Sequence, residues 1–122
     1  VLSWQDALEG AQIPDDGRNV VIHEFAHQLD QEDGRANGAP ILAAGQSYQC
    51  WSEIFSTQFE TLQKQASRGE PSLFDYYGAT NPAEFFAVAS EVFFEKSKQF
   101  NLQHPKLYQQ LTQYYHVDPI HW

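Results

Sequence analysis

Residues 20–29 read Val20-Val21-Ile22-His23-Glu24-Phe25-Ala26-His27-Gln28-Leu29, a spacing that predicts an α-helix with chemistry on one side. Val21, Ile22, Phe25, Ala26 and Leu29 recur at about 100° per residue, the rotation of an α-helix, and are expected to pack inward. On the same helix His23 and His27 lie only about 40° apart around the axis and one turn apart along it, so two imidazoles converge on one point. Glu24 stands about 60° from His27 and about 100° from His23, where it flanks that point without occupying it. Neutral imidazole is a ready ligand for zinc, and a catalytic zinc keeps three protein ligands and an open position for water, whose pKa falls towards neutrality. His23 and His27 are therefore candidate metal ligands and Glu24 a candidate general base. The third ligand must come from elsewhere in the chain.

Outward from this helix the chain reads as one mainly helical domain. Residues 1–8 form a short strand or an entry coil, the cluster Pro14, Asp15, Asp16 and Gly17 marks a turn, and Asn19 is placed to cap the helix. Residues 31–45 hold Gly34, Gly38, Pro40 and Gly45 and are expected to form a loop of the length that often serves a function. Tyr48, Trp51, Ile54, Phe55, Phe59 and Leu62 recur at helical spacing, which predicts a second helix with an aromatic core stripe, ending near Gly69 and Pro71. Asn81-Pro82-Ala83-Glu84 places a capping residue, a proline at the first helical position and a glutamate at the third, so a third helix starts there and runs to about Lys98. A last helix, from about Pro105 to Tyr115, presents Leu107, Tyr108, Leu111, Tyr114 and Tyr115, with Pro119 beyond its end.

Composition narrows the function. With 42% hydrophobic and 15% aromatic residues, the 122-residue chain can bury one core of single-domain size. Sixteen acidic against seven basic residues give a formal charge of -9, so nucleic-acid phosphate and anionic membrane surfaces are disfavoured partners. Cys50 is the only cysteine; it is expected to be a small buried residue rather than a nucleophile, and the lack of a disulfide framework fits a cytoplasmic protein. No run approaches the roughly 18 apolar residues of a membrane helix. The apolar opening at Val1 to Trp4 suggests a piece of a longer chain. His104, His116 and His121 show no ligand spacing and are expected to be surface or satisfied histidines.

The third helix supplies the candidates for a third ligand. Phe85, Phe86, Ala87, Val88, Ala89, Val92, Phe93 and Phe94 make it apolar round most of its circumference, and it should be buried. Glu84, Glu91 and Glu95 nevertheless line up within about 40° of one another. Two readings follow: a solvated stripe in which Glu84 merely completes a capping box with Asn81, or a stripe aimed at the metal.

The residues His23-Glu24-Phe25-Ala26-His27-Gln28-Leu29-Asp30, then Asp33-Gly34, Tyr77, Asn81-Pro82-Ala83-Glu84 and Phe86-Ala87-Val88, together resemble the zinc peptidases related to Mlc titration factor A. The likeness spans most of residues 20–95 and implies a mainly α, α+β zincin-like fold akin to the anthrax lethal factor catalytic domain. In it the HExxH helix packs with a second, glutamate-bearing helix, and residues 1–8 are left for a short edge strand. It implies one zinc per chain held by His23, His27 and Glu84, rather than Glu91, with Glu24 as catalytic base and Tyr77 as a hydroxyl donor to the oxyanion; Tyr76 is the bland competitor. It also implies aminopeptidase-like hydrolysis of peptide or small amide substrates. The rival implication is a non-catalytic module that sequesters a transcriptional repressor. By the same likeness residues 1–122 are a single catalytic domain from the C-terminal part of a protein about twice as long. Several other zincins of this type carry a carboxylate one turn after the third ligand, where this chain has Val88, so another residue must orient the imidazoles; Glu91 is a candidate, and Asp30 is either a second one or a solvated aspartate.

Overall fold

The structure is a computed structural model that describes residues 20–32 and 38–121. The strand expected at residues 1–8, the turn at 14–17 and the Asn19 cap lie outside the described residues, as does the middle of the loop at 31–45. Among the described residues there are helices and turns and no strand: α1 (Val20–Asp30), α2 (Tyr48–Arg68), α3 (Pro82–Glu95), α4 (Ser97–Gln103) and α5 (Pro105–Tyr115), with 3₁₀ turns at Tyr76–Ala79 and Pro119–His121. None of these helices is long and apolar enough to cross a membrane.

The apolar helix α3 is the axis of the fold, and every residue from Phe85 to Glu95 is buried. Asn81 starts it, its side-chain oxygen accepting the Glu84 N–H at 2.9 Å, and Pro82 occupies the first turn. The helix α1 lies along one side of α3, the Tyr76–Ala79 turn sits between α2 and α3, and α4 and α5 close the remaining side. A continuous aromatic core results. Trp51 stacks on Phe55 with ring centroids 4.2 Å apart, and Phe93 packs on Tyr108 and Tyr115 at 5.1 and 5.7 Å. Burying side chains of this size stabilises the fold by about 1.5–3 kcal/mol each.

Several expectations are corrected. The helix predicted to reach Lys98 ends at Glu95: Lys96, at φ −132 and ψ 49, breaks it, and α4 then turns Phe100 into the core against Phe74 and Phe93. On α2 the buried face is Trp51, Phe55 and Leu62, whereas Tyr48 is more than half exposed and accepts a hydrogen bond from Leu42 N–H. Cys50 is exposed, not buried, because it lies about 100° round the helix from the inward Trp51. On α1 the buried stripe is Ile22, Ala26 and Asp30; Val21, expected inside, is half exposed.

Asp30 is not solvated: it is fully buried and both its carboxylate oxygens accept the Gly38 N–H, at 3.0 and 2.9 Å. The Gly38 carbonyl accepts the Trp51 indole N–H at 3.0 Å. Gly38 has φ +79, and a Cβ there would stand 2.5 Å from the Pro82 carbonyl oxygen. One glycine thus ties the end of α1 to α2 and to the start of α3, and only glycine fits.

Candidate metal centre

The border between α1 and α3 brings three donor side chains together. His23 and His27 rise from consecutive turns of α1 and face each other with Nε2 atoms 3.1 Å apart. From the first turn of α3, Glu84 reaches across with one carboxylate oxygen 2.7 Å from His27 Nε2 and the other 3.3 Å from His23 Nε2. The Asn81 cap holds the Glu84 backbone, while the Glu84 carboxylate turns to the imidazoles. The three side chains are only 14–18% exposed, so they sit at the rim of the core and not inside it.

Of the glutamates on the α3 stripe, Glu84 joins this cluster and Glu91 does not. Glu91, 7% exposed, hydrogen-bonds the other ring nitrogen of His23, Nδ1. Contact with the Glu91 carboxylate raises the His23 pKa above the ordinary histidine value, against the opposing effect of burial, and Glu84 adds to the rise. The stripe is therefore not solvated: two of its members engage one imidazole, and Glu95 is buried one turn further on.

Tyr77 lies beside the cluster, on the 3₁₀ turn Tyr76–Ala79, with its ring centroid 6.1 Å from that of His23. Its hydroxyl interacts with Glu84, whose negative charge and hydrogen bond raise the Tyr77 pKa. Two features seat this turn. Asp75 accepts the Tyr77 N–H at 2.8 Å, and Gly78 is so close to α3 that an added Cβ would meet Val88 Cβ at 3.2 Å and Leu62 Cδ2 at 3.3 Å. An open cleft of about 320 Å³ beside the imidazoles is lined by Val20, His23, Glu24, Asp75, Tyr77, Val88 and Glu91. Glu24 and Tyr77 face this cleft; Tyr76 does not line it. Sequence reasoning missed Asp75 and Gly78, although an aspartate two residues before Tyr77 is a turn signal in its own right.

The donor set fits a zinc ion. Donors about 2.0–2.1 Å from a tetrahedral ion stand roughly 3.3 Å from one another. The 3.1 Å between the two imidazole nitrogens is close to that spacing, and the two Glu84 oxygens stand 2.7 and 3.3 Å from them, one on each histidine. Two imidazoles and a carboxylate are also a donor set found in catalytic zinc sites.

A family model described as Glucose-regulated metallo-peptidase M90 matches residues 1–116. The chain belongs to this family. The M90 chain is 44% identical over 120 residues to an uncharacterized protein of Synechocystis sp. and 35% identical over 123 residues to proteins named Mlc titration factor A from Yersinia pestis and Yersinia pseudotuberculosis. In each case 98% of the M90 chain is matched but only 44% of the relative, so it spans less than half the length of these relatives. The family agrees with the resemblance carried by the His23–Asp30 and Asn81–Val88 motifs.

Proposed function

We propose that residues 1–122 form a zincin-like catalytic domain of a zinc-dependent metallopeptidase, hydrolysing peptide bonds in small substrates in an aminopeptidase-like manner, in the cytoplasm. The observation that carries this reading is the meeting of His23, His27 and Glu84, from two separate helices, at one point next to an open cleft. His23 Nε2, His27 Nε2 and the Glu84 carboxylate would hold one zinc. When bound, the ion supplies a Lewis acid that polarises the scissile carbonyl and acidifies water.

The remaining chemistry belongs to the chain. Glu24 is exposed on α1 beside the imidazoles, free to take a proton from the attacking water and to return it to the leaving amine. Tyr77, half exposed on its turn, offers a hydroxyl donor to the negative charge that develops on the carbonyl oxygen. Val20 and Val88 give the cleft apolar wall.

The test is Glu24→Gln. That variant is expected to keep about one zinc per chain while hydrolysis of chromogenic amino-acid anilides falls by at least about 100-fold. Undiminished hydrolysis would remove Glu24 from the mechanism. A second reading, in which the chain binds and titrates a transcriptional repressor without cleaving it, is favoured by the name of the Yersinia relatives. Repressor binding that survives Glu24→Gln together with a wild-type chain that shows no hydrolysis supports the second reading over the first.

A further inference from the structure

The bond between Glu91 and His23 has no part in the chemistry proposed so far. Glu91 lies seven residues after Glu84 on α3, two turns and about 10.5 Å along the axis. Both carboxylates nevertheless reach the same ring: Glu84 faces Nε2 at 3.3 Å, and Glu91 is hydrogen-bonded to Nδ1. The imidazole of His23 is thus clasped end to end by one helix. The contact of buried Glu91 at Nδ1 is the closer of the two, and a carboxylate oxygen that accepts there favours the imidazole N–H on Nδ1. A hydrogen on Nδ1 leaves the lone pair on Nε2, the atom that points at His27 and Glu84. Glu91, 7% exposed on the buried helix α3, has its side chain held against the ring.

From this geometry, and resting on the zinc-peptidase reading above, we infer that Glu91 is a positioning residue that fixes the tautomer and orientation of His23 for metal binding. It performs from two turns along α3 the work that a carboxylate at the position of Val88, one turn after Glu84, could have done. Ligating histidines commonly donate their second N–H to such a partner, and its loss weakens metal affinity by about 10–100-fold. Because Glu84 and Glu91 share one rigid helix, the ligand and the residue that orients its neighbour move together. Glu91 stands outside the donor cluster of His23, His27 and Glu84.

Two variants separate this role from mere packing. Glu91→Gln keeps the volume and a carbonyl acceptor; Glu91→Met keeps the volume and removes the acceptor. Ring ¹⁵N shifts of His23 in a zinc-free Glu84→Ala background, which removes the carboxylate facing Nε2, are expected to report the Nδ1–H tautomer both with Glu91 and with Glu91→Gln. In Glu91→Met the Nε2–H form should grow. Zinc competition against a chromophoric chelator should show Glu91→Met binding about 10–100-fold more weakly than wild type and Glu91→Gln less than about tenfold more weakly. Should Glu91→Met fail to fold by circular dichroism, Glu91→Ala takes its place. Predominance of the Nε2–H form in the Glu84→Ala background with Glu91 intact overturns the inference. So does an acceptor-less variant that binds zinc as tightly as wild type, an outcome that leaves the peptidase reading standing. A wild-type chain that takes up no zinc overturns the reading on which both rest.

Discussion

The two sides of α3 are built on opposite principles. Towards α2, α4 and α5 it presents Phe85, Phe86 and Phe93 to Trp51, Phe55, Phe74, Phe100 and Tyr115, a surface held by ring packing. Towards α1 it presents Glu84 and Glu91 to His23, a surface of charged and titratable groups. The histidines show the contrast in miniature. His104, packed on the Phe74 ring at 4.9 Å, has its pKa lowered by burial, whereas His23 has its pKa raised by a carboxylate that outweighs burial. The aromatic side supplies stability and the polar side supplies chemistry, so perturbing one should leave the other measurable.

The largest expected effect on stability comes from the aromatic side. Phe86, with no exposed surface, packs on Trp51, Phe55 and Tyr114; Phe86→Ala should destabilise the chain by about 3–5 kcal/mol in chemical denaturation. On the polar side a chelator should abolish hydrolysis while far-UV circular dichroism stays unchanged, because none of the aromatic packing depends on the ion. Concerted loss of helix on chelation would erase the distinction.

Between these extremes lies the tie that joins both sides. Gly38→Ala forces an alanine to φ +79 and drives its Cβ into the Pro82 carbonyl, two residues before Glu84. Its cost should be at least about 1–3 kcal/mol, with zinc affinity falling as the start of α3 shifts. Gly78→Ala is milder, since Val88 and Leu62 need give only a few tenths of an ångström. It should lower kcat roughly tenfold by displacing Tyr77, with zinc affinity unchanged. The smallest effect is a pH dependence. His104 binds its proton more weakly in the folded chain, so the unfolded chain takes up more protons below the ordinary histidine value near 6.5. Stability attributable to this residue is fully present above that pH and is lost as the pH falls towards the folded pKa. Denaturation midpoints of His104→Gln should therefore decline less from pH 7 to pH 5 than those of wild type.

The legibility of the chain in its sequence follows the same division between local and distant causes. The starts of α3 and α5 were readable because Asn81-Pro82 and Pro105 act within one turn, and the end of α2 because Gly69 adopts φ +67. The convergence of His23 and His27 was readable because helical rotation alone produces it. The end of α3 at Lys96 was not, since no glycine or proline marks it and the chain that follows buries Phe100, a contact distant in sequence. Nor could the sequence separate Glu84 from Glu91, which share a face of α3; only the height at which α1 crosses decides which one meets Nε2. The role of Asp30 was hidden because its partner, Gly38, lies across a loop. Which of Tyr76 and Tyr77 faces the cleft depends on how Gly78 seats the turn against Val88.

The claim on which the rest stands is that one ion binds where α1 and α3 meet, and anomalous scattering from zinc-loaded crystals tests it directly. The account predicts a single strong peak within bonding distance of His23 Nε2, His27 Nε2 and the Glu84 carboxylate. A peak that engages Glu91 in place of Glu84, or none between the two helices, would contradict it.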